Sequence, residues 1–127
     1  VFETHLANAG QMLVILDDYL QPHYFTRAWC LFETYVCIEQ GFPRSILLPG
    51  RQMAAFSSMM ETRGAAPLRQ RIHNIDLSQA QASVEADEIR IKSLVQSGCG
   101  FDVVNHVVQE ELLAWSERAF SDYLRSR

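Results

Sequence analysis

The sequence is poor in lysine: Lys92 is the single lysine among 11 basic residues, and 15 acidic residues leave a formal net charge of −4. No Lys/Arg cluster offsets that balance, so the electrostatic footprint of a nucleic-acid binder is missing. Cysteine is scarce too. Cys30, Cys37 and Cys99 are odd in number and spaced too widely for a local metal pair, which excludes a disulfide framework. His5, His23, His73 and His106 stand singly with no H-x-x-x-H spacing, so no zinc site is expected. There is no G-x-G-x-x-G, no G-x-x-x-x-G-K-[ST] and no G-x-S-x-G, which removes the usual dinucleotide fingerprint, the P-loop and the serine-hydrolase elbow. No apolar stretch approaches the roughly 20 residues of a membrane span, and no basic, then apolar, leader opens the chain. These absences describe a soluble intracellular protein of a reducing compartment, cytoplasmic by expectation, with no resident metal or cofactor.

What is present is an ordinary globular composition, 48% apolar and 20% charged over 127 residues. That size is one domain, residues 1–127, with a real core. Because the first residue is Val1 rather than methionine, a segment upstream is expected.

Periodicity divides the chain into alternating elements. Phe2, Leu6 and Ala9 at helical spacing before Gly10 predict the end of a helix over residues 1–9. Residues 12–17, with the continuous apolar run Met12, Leu13, Val14, Ile15 and Leu16, predict a strand buried on both faces of a parallel sheet. After a loop, Thr26 is a credible N-cap for a helix running to Gln40 and closed by Gly41. Residues 45–48 predict a second strand, joined to the first by a βαβ crossover. Residues 52–61 predict a short helix with Met53, Phe56, Met59 and Met60 on its apolar side. Residues 71–76 alternate enough to predict a third, edge strand. Residues 77–83 carry no assignable pattern. Residues 84–97 predict a helix marked by Ile89, Ile91, Leu94 and Val95. Beyond Gly98 and Gly100, Asp102 is expected to cap a long amphipathic helix, with Phe101 as a hydrophobic staple. The expected fold is therefore α/β: three layers, with a small, mainly parallel sheet flanked by helices.

Open sheets of that kind place their sites at the carboxyl ends of the strands. Asp17 and Asp18 end the first strand there, to orient a substrate hydroxyl or simply to cap the next turn. Thr26, Arg27 and Trp29 open the helix that follows. Trp29 offers a ring for stacking, or a core side chain. Glu33 lies one turn beyond Trp29 on the same face, near the helix start where the dipole favours a carboxylate. Its structural alternative is a first-turns carboxylate paired with Arg27 or capping helix amides.

The strand, the short polar loop and the helix carrying Trp29, Cys30 and Glu33 resemble the middle of a Toll/interleukin-1 receptor-like (TIR) domain, over about residues 1 to 50. The family motif is Ser-x-Trp-Cys-x-x-Glu; here Arg27 stands at the serine position, with Thr26 one residue earlier. The longer run Thr-Arg-x-Trp-Cys-Leu-Phe-Glu also resembles a segment of large proteins from dinoflagellates and other protists, to about the chain end. The resemblance implies a flavodoxin-like or TIR-like sheet lacking its first, central strand. It implies an intracellular signalling module that assembles through protein–protein contacts, by self-association or with a partner. As alternatives, the chain is a structural accessory subunit of a larger assembly, or an NAD-cleaving hydrolase. In the last case Glu33 is catalytic, gripping the ribose hydroxyls and stabilising the oxocarbenium ion as nicotinamide leaves. Asp17, Asp18, Thr26, Arg27 and Trp29 would then line the substrate.

Overall fold

In a computed structural model that describes residues 12–18, 20 and 22–126, helices dominate. The expected helix over residues 1–9 lies outside the described residues. Two four-residue strands, β1 (Met12–Ile15) and β2 (Arg44–Leu47), pair in parallel with Met12 opposite Arg44 and Ile15 opposite Leu47. They are the whole sheet among the described residues. Around them lie α1 (Ala28–Gln40), α2 (Gly50–Arg63), α3 (Ala66–His73), α4 (Glu85–Ser97) and α5 (Phe101–Ser126). The expectation of a three-layer α/β sheet is thereby corrected: the domain is mostly helical, with one parallel ribbon.

The correction turns on residues 71–76. Leu68, Ile72 and Ile75 are all buried and are spaced by four and three, which is a helical stripe and not the period of two that a half-buried strand requires. Pro67 stands in the first turn of α3, where its missing N–H costs nothing and its fixed φ favours the helix. The alternation of Ile72 with the charged and polar residues beside it belongs to the last turn of α3 and the bend after it.

The β1–α1–β2 unit follows the sequence closely. Gly41 ends α1 with φ 72°, and its N–H reaches the carbonyl of Ile38, a left-handed cap that glycine adopts without steric cost. Leu16 extends the ribbon: its N–H donates to the Leu47 carbonyl at 2.9 Å, and the residue is fully buried. The start of α1 differs from expectation. Thr26 ends a 3-10 turn (His23–Thr26), with its hydroxyl donating to the His23 carbonyl at 3.1 Å, and the N-cap position falls to the extended Arg27. Proline and glycine at positions 49 and 50 start α2 rather than merely stopping β2.

One core joins these elements. Leu31, Val36 and Cys37 of α1, Phe56, Met59 and Met60 of α2, Leu68 and Ile72 of α3, and Ile91 and Val95 of α4 are all buried. Val104, Val108, Leu112 and Trp115, at steps of three and four, present one stripe of α5 to the same core. On α4 the stripe is narrower than the sequence suggested, since Ile89 and Leu94 remain exposed. The unassigned residues 77–83 become a 3-10 turn (Leu77–Gln79) and an extended link. The segment is anchored along its length: the Leu77 N–H donates to Asn105 Oδ1 at 2.7 Å, Gln81 forms a parallel bridge with Arg27, and the Ala82 N–H donates to Glu88 Oε1 at 3.1 Å.

Candidate functional site

The segment from Leu16 to Glu33 carries every side chain that the sequence marks for function, and the structure divides them into three groups. The first surrounds His23. The Asp17 carboxylate accepts the His23 backbone N–H at 2.9 Å and faces its ring Nδ1 at 2.6 Å. One carboxylate thus fixes both the start of the 3-10 turn and the orientation of the imidazole. Partial burial alone would raise the Asp17 pKa, but the two hydrogen bonds from His23 outweigh it and hold the carboxyl below its ordinary value. Asp18 turns the other way, accepting the Leu20 N–H at 2.9 Å, which is the turn-capping geometry of an aspartate.

The second group is Trp29. Its indole N–H points to Asp87 Oδ2 of α4 at 3.4 Å, and the Arg90 guanidinium lies 5.6 Å from the ring centroid. Arg90 also pairs with Asp87. Trp29 therefore joins α1 to α4 by a hydrogen bond and a cation–π contact, and the guanidinium occupies space over one ring face.

The third group is built on Glu33, in the second turn of α1. Its side chain is half-buried and, among the described residues, makes no hydrogen bond or ion pair; the expected Arg27 partner is not within salt-bridge distance. Desolvation pushes the Glu33 carboxyl above the ordinary glutamate range, and the positive charge of Arg27 only partly offsets it. Cys30, one turn away, is also shifted upward by burial, with Arg27 opposing. Tyr24 completes the neighbourhood. Its hydroxyl is the buried side-chain polar atom without a hydrogen-bond partner among the described residues. Burial, reinforced by the thiols of Cys30 and Cys37 and the carboxylate of Glu33, drives its pKa far upward.

An upward-shifted carboxyl has a definite linkage consequence. A folded-state pKa above the unfolded value means the native state loses stability as pH rises from the unfolded toward the folded value, and the penalty persists at neutral pH. Replacing Glu33 with glutamine is therefore expected to raise the midpoint of urea unfolding at pH 7, with the gain vanishing at pH values below the ordinary glutamate pKa. An unchanged midpoint at pH 7 would show that the carboxylate is fully solvated.

Of two clefts, one borders His23 and Thr26 and the other is lined by none of these residues. One, of about 340 Å³, lies between the His23–Thr26 turn and the end of α3, and is lined in part by His23, Thr26, Arg71 and Asn74. The other is an apolar groove of about 550 Å³ between β2, α2 and α5. Thr26 lines the first cleft, whereas Asp17, Asp18, Arg27, Trp29 and Glu33 line neither. The sequence passed over His23, Tyr24, Arg71 and Asn74. Asp17 and His23 are not joined by one regular element, so no periodicity pairs them, and Arg71 and Asn74 reach the site only through the packing of α3.

Among the described residues no group of three or more His, Cys, Asp and Glu side chains is arranged to hold a metal ion, and no helix is long and apolar enough to cross a membrane. Fold and clefts together define a mostly helical domain built on one parallel β-ribbon. No protein-family model, curated protein or solved structure matches the chain.

Proposed function

We propose that this chain is a protein–protein interaction module whose docking face is the outer edge of β2 and the apolar groove beside it. The observation that carries this reading is the lining of the groove. Ile46 and Leu47 of β2 both border it, although consecutive strand residues point to opposite faces, and Leu48 borders it just past the strand. A cavity bordered by both strand neighbours reaches the edge of β2 at its carboxyl end rather than lying beneath one face. Leu47 is 51% exposed and Met53 44% exposed on its rim, and β2 pairs only with β1 among the described residues. An open edge with apolar side chains beside it is a template for strand addition.

The occupant we infer is a second copy of the chain. Two β2 edges related by a two-fold axis pair isologously, and each would present Arg118 and Asp122 from its own groove rim to the other copy. The resemblance of the Trp29, Cys30 and Glu33 region to a TIR domain supports the same reading, since that family assembles through homotypic contacts. Sedimentation equilibrium is expected to give a dimer at micromolar concentration, and Leu47→Glu a monomer with an unchanged far-UV circular dichroism spectrum. Wild-type protein that stays monomeric at millimolar concentration would refute the self-association. An interface of this kind needs about 1,000 Å² of buried surface.

A second reading rests on the half-buried Glu33, unpaired among the described residues: an NAD-cleaving hydrolase in which this carboxylate stabilises the cation left at the ribose. Incubation with NAD is expected to show cofactor loss with the parent protein and none with Glu33→Ala. Absence of turnover by the parent, as monomer and as dimer, would remove the reading.

A further inference from the structure

The cleft beside His23 has a chemistry that the interaction reading does not use. Its polar lining comes from two separate parts of the chain: His23 and Thr26 from the 3-10 turn, Arg71 and Asn74 from the end of α3. Phe25 and Ile75, both buried, form its apolar floor.

The polar groups are left with free hydrogen-bonding capacity. The His23 ring meets the Asp17 carboxylate through Nδ1, which leaves Nε2 for another partner. The Thr26 hydroxyl is held in place by its bond to the His23 carbonyl at 3.1 Å. The Arg71 guanidinium has no hydrogen bond or ion pair among the described residues, and neither does the Asn74 side-chain amide.

Charge selects the ligand. Among the described residues no carboxylate lines this cleft, in a chain with 15 acidic residues. The nearest one in sequence, Asp17, is already engaged by His23 through two contacts. The neighbouring cleft between α3 and α5 is of the opposite character, with Asp76 and Asp102 on its walls. Arginine, histidine and asparagine lining one space from two parts of the chain match a tetrahedral oxyanion, to which arginine binds in bidentate fashion. A bare phosphate would fill little of about 340 Å³, whereas that volume suits a small organic ligand at the low end of ordinary binding pockets.

We propose that this cleft binds a small phosphate monoester, with Arg71 and His23 holding the phosphate, Asn74 bonding the ester or an adjacent hydroxyl, and Phe25 and Ile75 contacting the carbon skeleton. The site is separate from the β2 edge and does not depend on dimer formation.

Titration with glycerol 3-phosphate, followed by calorimetry and by amide chemical shifts, tests it. The expected result is saturable binding with shifts concentrated at His23, Thr26, Arg71 and Asn74, weakened at least tenfold in Arg71→Ala and in His23→Gln. Arg69→Ala, an exposed arginine two residues away and outside the cleft, is the control and should bind as the parent does. Leu47→Glu should also bind normally, which separates this site from the docking face. Absence of saturable binding, equal binding by Arg71→Ala, or equal affinity for inorganic phosphate would each overturn the proposal.

Discussion

Replacing Phe56 with alanine is expected to lower the unfolding free energy by about 3–5 kcal/mol, close to the whole stability of a marginal domain. Phe56 is fully buried, and its ring centroid lies 6.3 Å from that of Trp115 at an interplanar angle of 42°. Together with Met59 and Met60 it is the apolar side by which α2 is fixed to the core beneath α5. Removing the ring forfeits its transfer free energy and leaves a cavity whose walls belong to two helices that cannot both collapse inward. Urea unfolding should show a much lower midpoint with an unchanged slope. Met53→Ala, on the exposed side of the same helix, should change stability by less than about 0.5 kcal/mol. A loss below about 1 kcal/mol for Phe56→Ala would mean that α2 does not unfold cooperatively with the rest.

The second large effect is expected at the ion pair that ties β2 to α5. Arg44 donates through both Nε and a terminal nitrogen to Glu111, the latter bond at 3.0 Å, and its other terminal nitrogen reaches the Phe42 carbonyl at 3.0 Å. The two side chains are 26% and 17% exposed, so water screens the pair only in part. Glu111→Ala strands a shielded guanidinium and is expected to cost about 1–3 kcal/mol. The paired replacement Arg44→Met with Glu111→Leu should restore most of that loss, because the desolvation of both charges disappears with their attraction. A double-mutant cycle read by chemical denaturation separates these terms. If the double variant is as unstable as Glu111→Ala alone, the pair is irreplaceable for the register of β2 against α5.

The parts of the fold that the sequence made legible are those set by neighbours in the chain. The apolar run from Met12 to Leu16, Gly41 with its positive φ, and the stripe Val104, Val108, Leu112 and Trp115 each announce their element through backbone freedom or period alone. The candidate site was legible as a list of residues but not as an arrangement. Trp29 and Glu33 share a helical face in sequence, yet Trp29 is drawn to Asp87, 58 residues away, by a hydrogen bond that no local pattern encodes. Asp17 was expected near a crevice, and its double contact with His23 is likewise encoded by no local pattern.

The third strand expected over residues 71–76 failed on its period. Ile72 and Ile75 are three residues apart, which fits a helical period and not a period of two, and the buried Leu68 four residues before Ile72 completes the helical stripe. By itself, then, the sequence determined the β1–α1–β2 unit and the long amphipathic α5, because chain reversal and helical period act over a few residues. Only the tertiary structure decided that the sheet ends as a two-stranded ribbon among the described residues, that Glu33 is left unpaired while Trp29 is engaged, and that His23 meets Arg71 across a cleft. Those outcomes depend on which helices pack together, through contacts spanning tens of residues.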